Sequence, residues 1–330
     1  MTRALVTGAS GFIGNHLVKY LRDQGYWVRG VDWQPQKEWS YPIDDFRQLD
    51  LRHDGSTFQA FDGGIDEVYA LAADMGGMGF ISTNHIDIMQ NNSRINLNTV
   101  QAAHQYQVKK YFYASSACAY PEYKQLSDQE VIPLKESDAF PADPQDGYGW
   151  EKLFIEVLDG YYRKERGMYV RIARFHNIAG PLGTWKGGRE KAPAAICRKV
   201  ATAKLTKSDI IDVWGNGKAV RSYCYINDCL KGIDKIMHTD HPKLDETAIN
   251  LGSNEAITVN DLVKLVSDIA KHQVEINHVR GPIGVAGRNS DNTLIQEVLG
   301  WQPELKLVDW IPTLYQWVED QVREDLKIGK

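Results

Sequence analysis

The chain has 330 residues, of which 43% are hydrophobic and 25% charged, with a net charge of -5 and a pI near 6.0. These values are typical of a soluble globular protein with one large or two closely joined domains, and no basic stripe indicates nucleic-acid binding. No apolar run approaches the roughly 18 residues that cross a bilayer, and the N-terminus lacks a signal-peptide pattern. Four cysteines are too few for a disulfide framework and wrongly spaced for zinc, so we expect no metal and a cytoplasmic location.

Strands and helices are predicted to alternate along the first half of the chain. The pattern predicts strands over residues 4–7, 27–31, 67–72, 110–115 and 169–173, helices over 13–21, 91–106 and 149–162, and amphipathic segments over 258–272 and 307–322. Such alternation favours a doubly wound parallel α/β sheet with a smaller interleaved α/β lobe. We expect residues 1–178 and about 227–252 to form the first domain, and 179–226 and 253–330 the second.

A glycine-rich turn separates the first predicted strand from its helix. Gly8, Gly11 and Gly14 let the backbone turn tightly and approach a pyrophosphate at the helix N-terminus. Asp32 follows the second strand at the spacing of a ribose-binding carboxylate, although a strand-end cap is the alternative. No arginine directly follows it, so NAD is favoured over NADP. The predicted cofactor-binding residues are Gly8, Ser10, Gly11, Phe12, Ile13, Gly14, Asp32, Asp50, Leu71, Ala72, Ala73, Tyr148 and Lys152.

A tyrosine and a lysine suited to hydride chemistry lie on the third predicted helix. Tyr148 and Lys152 are four residues apart and therefore share a helix face. We expect the lysine and the nicotinamide ribose to lower the pKa of the phenol, so that it serves as a base when an alcohol loses hydride. Ser116, at the end of a predicted strand, would hydrogen-bond the same substrate oxygen. Because this spacing is common on amphipathic helices, the glycine-rich turn is what favours the catalytic interpretation.

Together these residues resemble the extended short-chain dehydrogenase/reductase family, whose dinucleotide-binding domain has the Rossmann fold. Five longer segments are similar to the GDP-mannose 3,5-epimerases of its sugar-nucleotide branch, and the likeness extends from Leu5 to about Trp317. The segments are Leu71 to Gly79, Ala114 to Cys118, Arg174 to Ile178, Thr184 to Ala194 and Gly287 to Asp291. The resemblance implies an NAD-dependent enzyme that interconverts GDP-D-mannose and GDP-L-galactose, with GDP-L-gulose formed by inversion at C5 alone.

The resemblance also assigns an acid/base pair, Cys118 and Lys191. Transient oxidation at C4 of the hexose acidifies the protons on C3 and C5, and an acid and a base on opposite ring faces can then invert those carbons. A thiol near 8.5 and an amine near 10.4 need lowered pKa values to act as free bases, which a buried site can provide. From the residues alone, an inert buried cysteine and a solvated lysine are the simpler interpretations.

Further substrate contacts follow from the resemblance. It implies that Asn177 reaches the sugar or its phosphate, that Arg221 and Arg288 hold the diphosphate, and that Asp50 lies near adenine. The glycines at positions 76, 77 and 79 would leave backbone amides free near the sugar ring. The predicted substrate-binding residues are Gly76, Gly77, Met78, Gly79, Ser116, Cys118, Asn177, Lys186, Lys191, Arg221 and Arg288.

Two kinds of alternative function stay open at this stage. The nearest is another NAD-dependent sugar-nucleotide 4-epimerase, 4,6-dehydratase or decarboxylase that lacks the thiol and amine pair. The other is a catalytically inactive dinucleotide-binding sensor, which the complete set of Ser116, Tyr148 and Lys152 disfavours. The expected partners are a small-molecule GDP-hexose and a second copy of the chain in a homodimer, with neither nucleic acid nor a membrane.

Overall fold

The computed structural model describes residues 1–282 and 284–327, and its centre is a seven-stranded parallel sheet. The strands of this sheet are β1 (Arg3–Thr7), β2 (Trp27–Asp32), β3 (Asp45–Gln48), β4 (Glu67–Ala70), β5 (Lys110–Ser116), β6 (Val170–His176) and β11 (Ile249–Gly252). Their order across the sheet is β11-β6-β5-β4-β1-β2-β3, and every neighbouring pair is parallel. The strand order reverses beside β1, so the carboxyl ends of β1 and β4 border the crevice where doubly wound sheets bind ligands.

Helices cover both faces of this sheet. They are α1 (Phe12–Asp23), α2 (Asp54–Phe61), α3 (Met78–Ile81), α4 (His85–Gln105), α5 (Gly147–Arg166), α7 (Ile226–Met237) and α9 (Thr293–Leu299). One apolar core lies between the sheet and α1, α7 and α9, and a second lies between the sheet and α2, α4 and α5. Because both faces of the sheet are covered, the central strand β4 and residues 4–7 of β1 are buried along their length instead of alternating.

A smaller lobe packs beside the carboxyl edge of the sheet around a third apolar core. It contains α6 (Ala192–Thr206), α8 (Val259–Ala270) and α10 (Leu307–Asp325), together with short strands. The strands are β7 (Ile178–Ala179), β8 (Ile210–Trp214), β9 (Val220–Ser222), β10 (Cys224–Tyr225), β12 (Ala256–Thr258), β13 (Glu275–Val279) and β14 (Gly287–Arg288). The strand β14 pairs with β9, which places Arg288 opposite Arg221 and Gly287 opposite Val220. Residues 67 positions apart in the chain therefore meet in this lobe.

The fold class and all five predicted strands are confirmed, with small differences at their ends. The two amphipathic segments form α8 and α10. The helix predicted from residue 91 begins at His85 instead, and the one predicted from 149 begins at Gly147, where Asp146 caps it. The strand β3 was not predicted. The division into two domains stays a prediction, although β11 does complete the central sheet.

Neither a membrane-spanning helix nor a cluster of metal-ligating side chains occurs in the part of the chain that the structure describes.

Candidate active site

A cavity of about 460 Å³ lies at the carboxyl ends of β1, β2, β4 and β5. Every residue predicted to bind the cofactor lines it, and so do Ser116 and Lys191. The other predicted substrate-binding residues are not part of the cavity lining. One concave site therefore contains the glycine-rich turn, the tyrosine and lysine pair, and one member of the predicted acid/base pair.

The glycine-rich turn has the geometry that a dinucleotide pyrophosphate requires. Gly8 has a φ of +72°, which favours glycine, and a Cβ on Gly14 would lie 2.1 Å from the carbonyl oxygen of Gly8. Gly11 caps α1 without a side-chain acceptor, so the first amide groups of the helix have no partner within it. These amides and the positive end of the helix dipole fit a phosphate group. The residues present therefore fit the dinucleotide that the sequence predicts.

The carboxylate of Asp32 lies at the far end of this cavity. It accepts hydrogen bonds from the backbone amides of Ser10 and Gln34, both at 3.0 Å, and burial raises its pKa against the effect of these bonds. The cavity is also lined by two cations that no sequence motif indicated, Lys37 and Arg52. Arg52 is paired with Asp50 at 2.6 Å, which lowers the pKa of Asp50.

Ser116, Tyr148 and Lys152 come together where β5 ends and α5 begins. Ser116 and Tyr148 both line the cavity, and Lys152 Nζ lies 5.7 Å from the centre of the tyrosine ring. The amine donates to the carbonyl of Ala114 at 3.0 Å. The sequence analysis expected a lowered pKa for the Tyr148 phenol, but the structure gives the opposite direction. Burial, together with the Cys118 and Glu151 charges, raises the pKa of Tyr148 well above its ordinary value. Without the cofactor, the effect of Lys152 on the pKa of Tyr148 is therefore smaller than the effect of desolvation, and the phenol stays protonated.

A buried acidic group that sequence reasoning missed lies beneath Lys152. Glu151 is 1% exposed and accepts a hydrogen bond from Asn96 of α4 at 2.7 Å. Burial raises the pKa of Glu151 and lowers that of Lys152, but the charges of Glu151, Glu156 and Asp159 oppose the second effect. All three carboxyl groups lie on the buried face of α5. Their helical spacing in the sequence could therefore have predicted that they share this face. Their arrangement favours a cationic Lys152.

The thiol of Cys118 lies directly beside the tyrosine and serine. Cys118 follows β5 in a short 3₁₀ turn, and its amide donates to Ser116 Oγ at 3.1 Å. A Cβ on Gly149 would lie 2.2 Å from the carbonyl oxygen of Cys118, so only glycine lets α5 pack this closely. Arg288 Nη1 donates to Cys118 Sγ at 3.3 Å. Arg288, predicted to hold the diphosphate, thus contacts the predicted acid/base thiol.

Lys191 and Arg221 face the same region from the smaller lobe. Lys191 is the residue before α6, and desolvation lowers the pKa of its amine, with the Arg288 charge adding to this effect and the Cys118 charge opposing it. The direction is that expected of a lysine acting as a base. Burial and the Arg288 charge lower the pKa of Arg221 to about 10. Arg221 donates to the carbonyl groups of Val220 and Ala286 at 2.7 and 3.2 Å.

One of the glycine amides predicted to be free near the sugar ring, that of Gly77, is used inside the protein. The amide of Gly77 donates to the carbonyl of Arg189 at 2.9 Å, and a Cβ there would lie 2.4 Å from the carbonyl oxygen of Glu190. This amide is therefore used inside the protein and is not left free for a sugar. Gly76 packs against the Arg189 side chain, Gly79 against Trp214, and Met78 against Gly284. The glycines position the segment that leads to Lys191.

Arg189 joins this loop to the cavity, which the sequence did not predict. Its guanidinium donates to Asp74 at 3.0 Å and lies 3.6 Å from the centre of the Phe80 ring. Asp74 and Arg189 both line the cavity.

Two of the predicted substrate contacts that do not line the cavity, Lys186 and Asn177, are bonded to other parts of the protein. Lys186 is exposed and forms an ion pair with Asp325 of α10 at 2.5 Å, so its position does not support a substrate contact. Asn177 has a φ of +46° and donates to the carbonyl of Ser222 at 3.1 Å. The neighbouring His176 is buried and bonds with Asn250 at 2.9 Å, and burial lowers its pKa to about 3.

Comparison with known proteins identifies close relatives of this arrangement. The model of the "NAD dependent epimerase/dehydratase family" matches residues 4–252. GDP-mannose 3,5-epimerase 1 of Oryza sativa subsp. japonica is 44% identical over 329 residues, which cover 99% of this chain and 84% of that protein. GDP-mannose 3,5-epimerase of Arabidopsis thaliana is also 44% identical, over 98% of this chain and 84% of that protein.

The solved structures support the fold. A UDP-glucose 4-epimerase from Thermotoga maritima, solved with UDP-glucose, has a TM-score of 0.85 and 23% identity, and the match covers 97% of this chain and 100% of that one. At this identity the likeness speaks for the architecture alone.

Proposed function

The chain belongs to the NAD dependent epimerase/dehydratase family, within it to the group of the GDP-mannose 3,5-epimerases, and we propose that it interconverts GDP-D-mannose and GDP-L-galactose. GDP-L-gulose is the product of C5 inversion alone. The observation that carries the proposal is the thiol of Cys118 beside Ser116 and Tyr148, with Arg288 donating to its sulfur. A hydride site alone would serve many sugar-nucleotide enzymes. The added thiol and the Lys191 amine supply the groups that move protons on carbon.

The first part of the reaction is oxidation at C4, for which NAD, when bound, accepts the hydride and later returns it. Ser116 and Tyr148 bind the C4 hydroxyl, and Tyr148 takes its proton. Lys152 supports this step as a cation held by Ala114 and the carboxyl groups of α5. The amides of the glycine-rich turn and Asp32 hold the cofactor.

The second part is inversion at C5 and C3, which the C4 ketone makes possible because each carbanion is an enolate. Cys118 and Lys191 act as the acid and base on opposite ring faces. The Arg288 contact favours a negatively charged sulfur, and the lowered pKa of Lys191 favours a neutral amine. Arg221 and Arg288 also provide positive charge for the diphosphate.

The test is incubation of the pure protein with GDP-mannose in heavy water, followed by NMR of the hexose. Deuterium at C5 and C3 together with GDP-L-galactose supports the proposal. A 4-epimerase would change the configuration at C4 without this labelling, and a dehydratase or decarboxylase would lose water or carbon dioxide. Absence of turnover with a set of GDP-hexoses would instead favour the inactive sensor.

We further propose a homodimer formed through α4 and α5. Trp150, Phe154, Val157 and Tyr161 lie on one face of α5 and are 43 to 53% exposed. Ile86, Met89 and Leu97 of the adjacent α4 are exposed as well. Contiguous apolar surface of this kind is typical of an interface between subunits. A second copy of the chain would cover both helices at once.

Sedimentation of the Phe154→Asp variant tests this interface. The variant should sediment as a monomer at concentrations where the wild type is a dimer. Val308→Asp is the matched control, because Val308 is 57% exposed on α10, away from this face. A wild-type monomer, or a Phe154→Asp dimer, would contradict the proposal. A cytoplasmic location is also proposed, which four free cysteines support.

A further inference from the structure

A buried glutamine outside the predicted site contacts the site through Arg288. Gln125 is 1% exposed, and its Nε2 donates to the carbonyl groups of Tyr120 and Pro121 at 3.2 and 3.0 Å. Its Oε1 accepts from Arg288 Nε. All the polar atoms of this side chain are therefore engaged, and the position of the amide is determined by three hydrogen bonds.

The backbone reinforces the same contact. The amides of Ala286 and Gly287 both donate to the carbonyl oxygen of Gln125, at 2.9 and 3.2 Å. A Cβ on Gly287 would lie 2.3 Å from the carbonyl oxygen of Ser127. The strand β14 is thus held against residues 125–127 by its main chain, while Gln125 aligns its arginine.

The opposite end of this guanidinium contacts the thiol of Cys118. Arg288 is 8% exposed and donates from Nη1 to Cys118 Sγ at 3.3 Å. Within residues 1–282 and 284–327 it forms no salt bridge with a carboxylate. The side chain that bonds its Nε is a neutral amide, and the carboxyl group of Asp146 interacts with the Arg288 charge without forming an ion pair with it. A carboxylate in place of Gln125 would pair with that charge.

We propose that Gln125 is a positioning residue for proton transfer, which holds Arg288 against Cys118 so that the guanidinium stabilises negative charge on the sulfur. The step it assists is removal of a proton from the hexose by the sulfur, with the electron pair passing into the enolate of the C4 ketone. This role in catalysis rests on the proposed function. The effect of Gln125 on the thiol itself does not.

Other charged groups face the same thiol and must stay constant in the test. Lys191 approaches from α6 and Arg221 from β9, while Tyr148 and Lys152 approach from α5. None of them is altered when Gln125 is replaced. A change in thiol reactivity then reports on the placement of Arg288.

The experiment measures alkylation of Cys118 by iodoacetamide as a function of pH. Cys197, Cys224 and Cys229 are buried, and burial raises the pKa of each, so peptide mass analysis should find label at Cys118. In Gln125→Met the rate of Cys118 alkylation near pH 7 should fall about tenfold, which is the change in the thiolate fraction that a shift of one pH unit in the profile produces. At a pH high enough to ionise the thiol in both proteins, the two rates should become equal, or the variant should be slightly faster because its thiolate is more basic.

Two further variants make the result decisive. Gln129→Met is the control, since Gln129 is exposed and should alkylate like the wild type. Gln125→Glu keeps the shape of the side chain but pairs with Arg288, so its rate near neutral pH should fall as well. It also decides the question if Gln125→Met does not fold, as judged by circular dichroism. A rate ratio that is the same at every pH would indicate altered access, and an unchanged rate would indicate no contact; either result overturns the proposal.

A second measurement separates this proposal from the proposed function. Alkylation needs no GDP-mannose, so it tests Gln125 even if the protein acts on another sugar nucleotide. With GDP-mannose in heavy water, Gln125→Met should lose about tenfold in deuterium incorporation at carbon. Absence of incorporation in the wild type contradicts the proposed function, whereas unchanged incorporation in the variant contradicts only the role of Gln125 in catalysis.

Discussion

The two lysines of the site lie in opposite electrostatic surroundings. Lys152 is 3% exposed and lies near Glu151, Glu156 and Asp159, whose charges oppose the loss of its proton. Lys191 has the positive charge of Arg288 nearby, and its favourable neighbours are the thiols of Cys118 and Cys229. Desolvation lowers the pKa of both amines, but only the first has carboxyl groups to counter it. The hydride region around Lys152 and the proton-transfer region around Lys191 therefore differ in the groups that oppose desolvation, which are carboxyl groups in the first and thiols in the second.

The two regions also differ in how the chain builds them. The hydride region is formed by the carboxyl ends of neighbouring strands of the central sheet and by the first turns of α1 and α5, which pack against that sheet. The proton-transfer region joins the turn after β5 with the start of α6, β9 and β14, from both lobes. The predictions below test this division, from the largest expected effect to the smallest.

The largest effect should follow from Tyr148→Phe in the hydride region. Loss of the base for C4 oxidation should reduce turnover by about 10²–10⁴-fold. Deuterium incorporation at C3 and C5 should fall equally, because the carbon acids form only after C4 is oxidised. NMR in heavy water measures both. Incorporation near the wild-type rate would show that proton removal does not need the C4 ketone, and the two regions would then act independently.

Replacement of the acid/base pair should produce a different pattern. Cys118→Ala and Lys191→Ala should each reduce formation of GDP-L-galactose more than tenfold, within the range for a missing acid or base. Binding of NAD and GDP-mannose, measured by calorimetry, should change little. One variant can still exchange deuterium with retention, because a single base returns the proton to its own side. If both variants kept more than about a tenth of the wild-type rate, these residues would be structural.

Cofactor preference should depend on the hydride region alone. Because Asp32 lines the cavity beside the glycine-rich turn and is expected to accept from the ribose, NAD should bind at least tenfold tighter than NADP, about 1.4 kcal/mol. Calorimetry on Asp32→Ala should show a reduced preference, and Cys118→Ala should retain it. Equal affinities in the wild type would mean that Lys37 and Arg52 accept the 2′-phosphate. Added NAD should not be consumed during turnover.

The smallest effect concerns stability and separates the two lysines. In NAD-free protein at neutral pH, Lys152→Met should lower the free energy of unfolding by about 1 kcal/mol, because it removes the hydrogen bond to Ala114 and leaves carboxyl groups uncompensated. Lys191→Met should raise it by up to about 1 kcal/mol, because a desolvated charge near Arg288 is removed. Urea denaturation measures both. Equal losses in the two variants would contradict the electrostatic difference between the regions.

The pH dependence of Lys191→Met follows from the lowered pKa of Lys191. Between that lowered value and the unfolded value near 10.4 the unfolded chain binds more protons, so the wild type gains stability as pH rises. The advantage of Lys191→Met should therefore shrink from neutral pH toward about pH 10. An advantage that grows with pH would mean that folding raises the pKa of Lys191 instead of lowering it.

The sequence by itself determined the features that depend on local periodicity and backbone sterics. The strand, glycine-rich turn and helix around Gly8 were predictable, because only glycine fits a positive φ and the close contact at Gly14. Tyr148 and Lys152 share a helix face for the same local reason. The resemblance added Cys118 and Lys191, which no spacing argument selects.

Only the tertiary structure decided the features that depend on contacts between distant segments. Arg288 meets Gln125 across 163 residues, and Lys186 turns to Asp325 across 139 residues. The raised pKa of Tyr148 has the same origin, since burial is the sum of contacts from β5, α4 and the 3₁₀ turn. Desolvation and charge placement arise when the lobes pack, so neither periodicity nor motif spacing contains them.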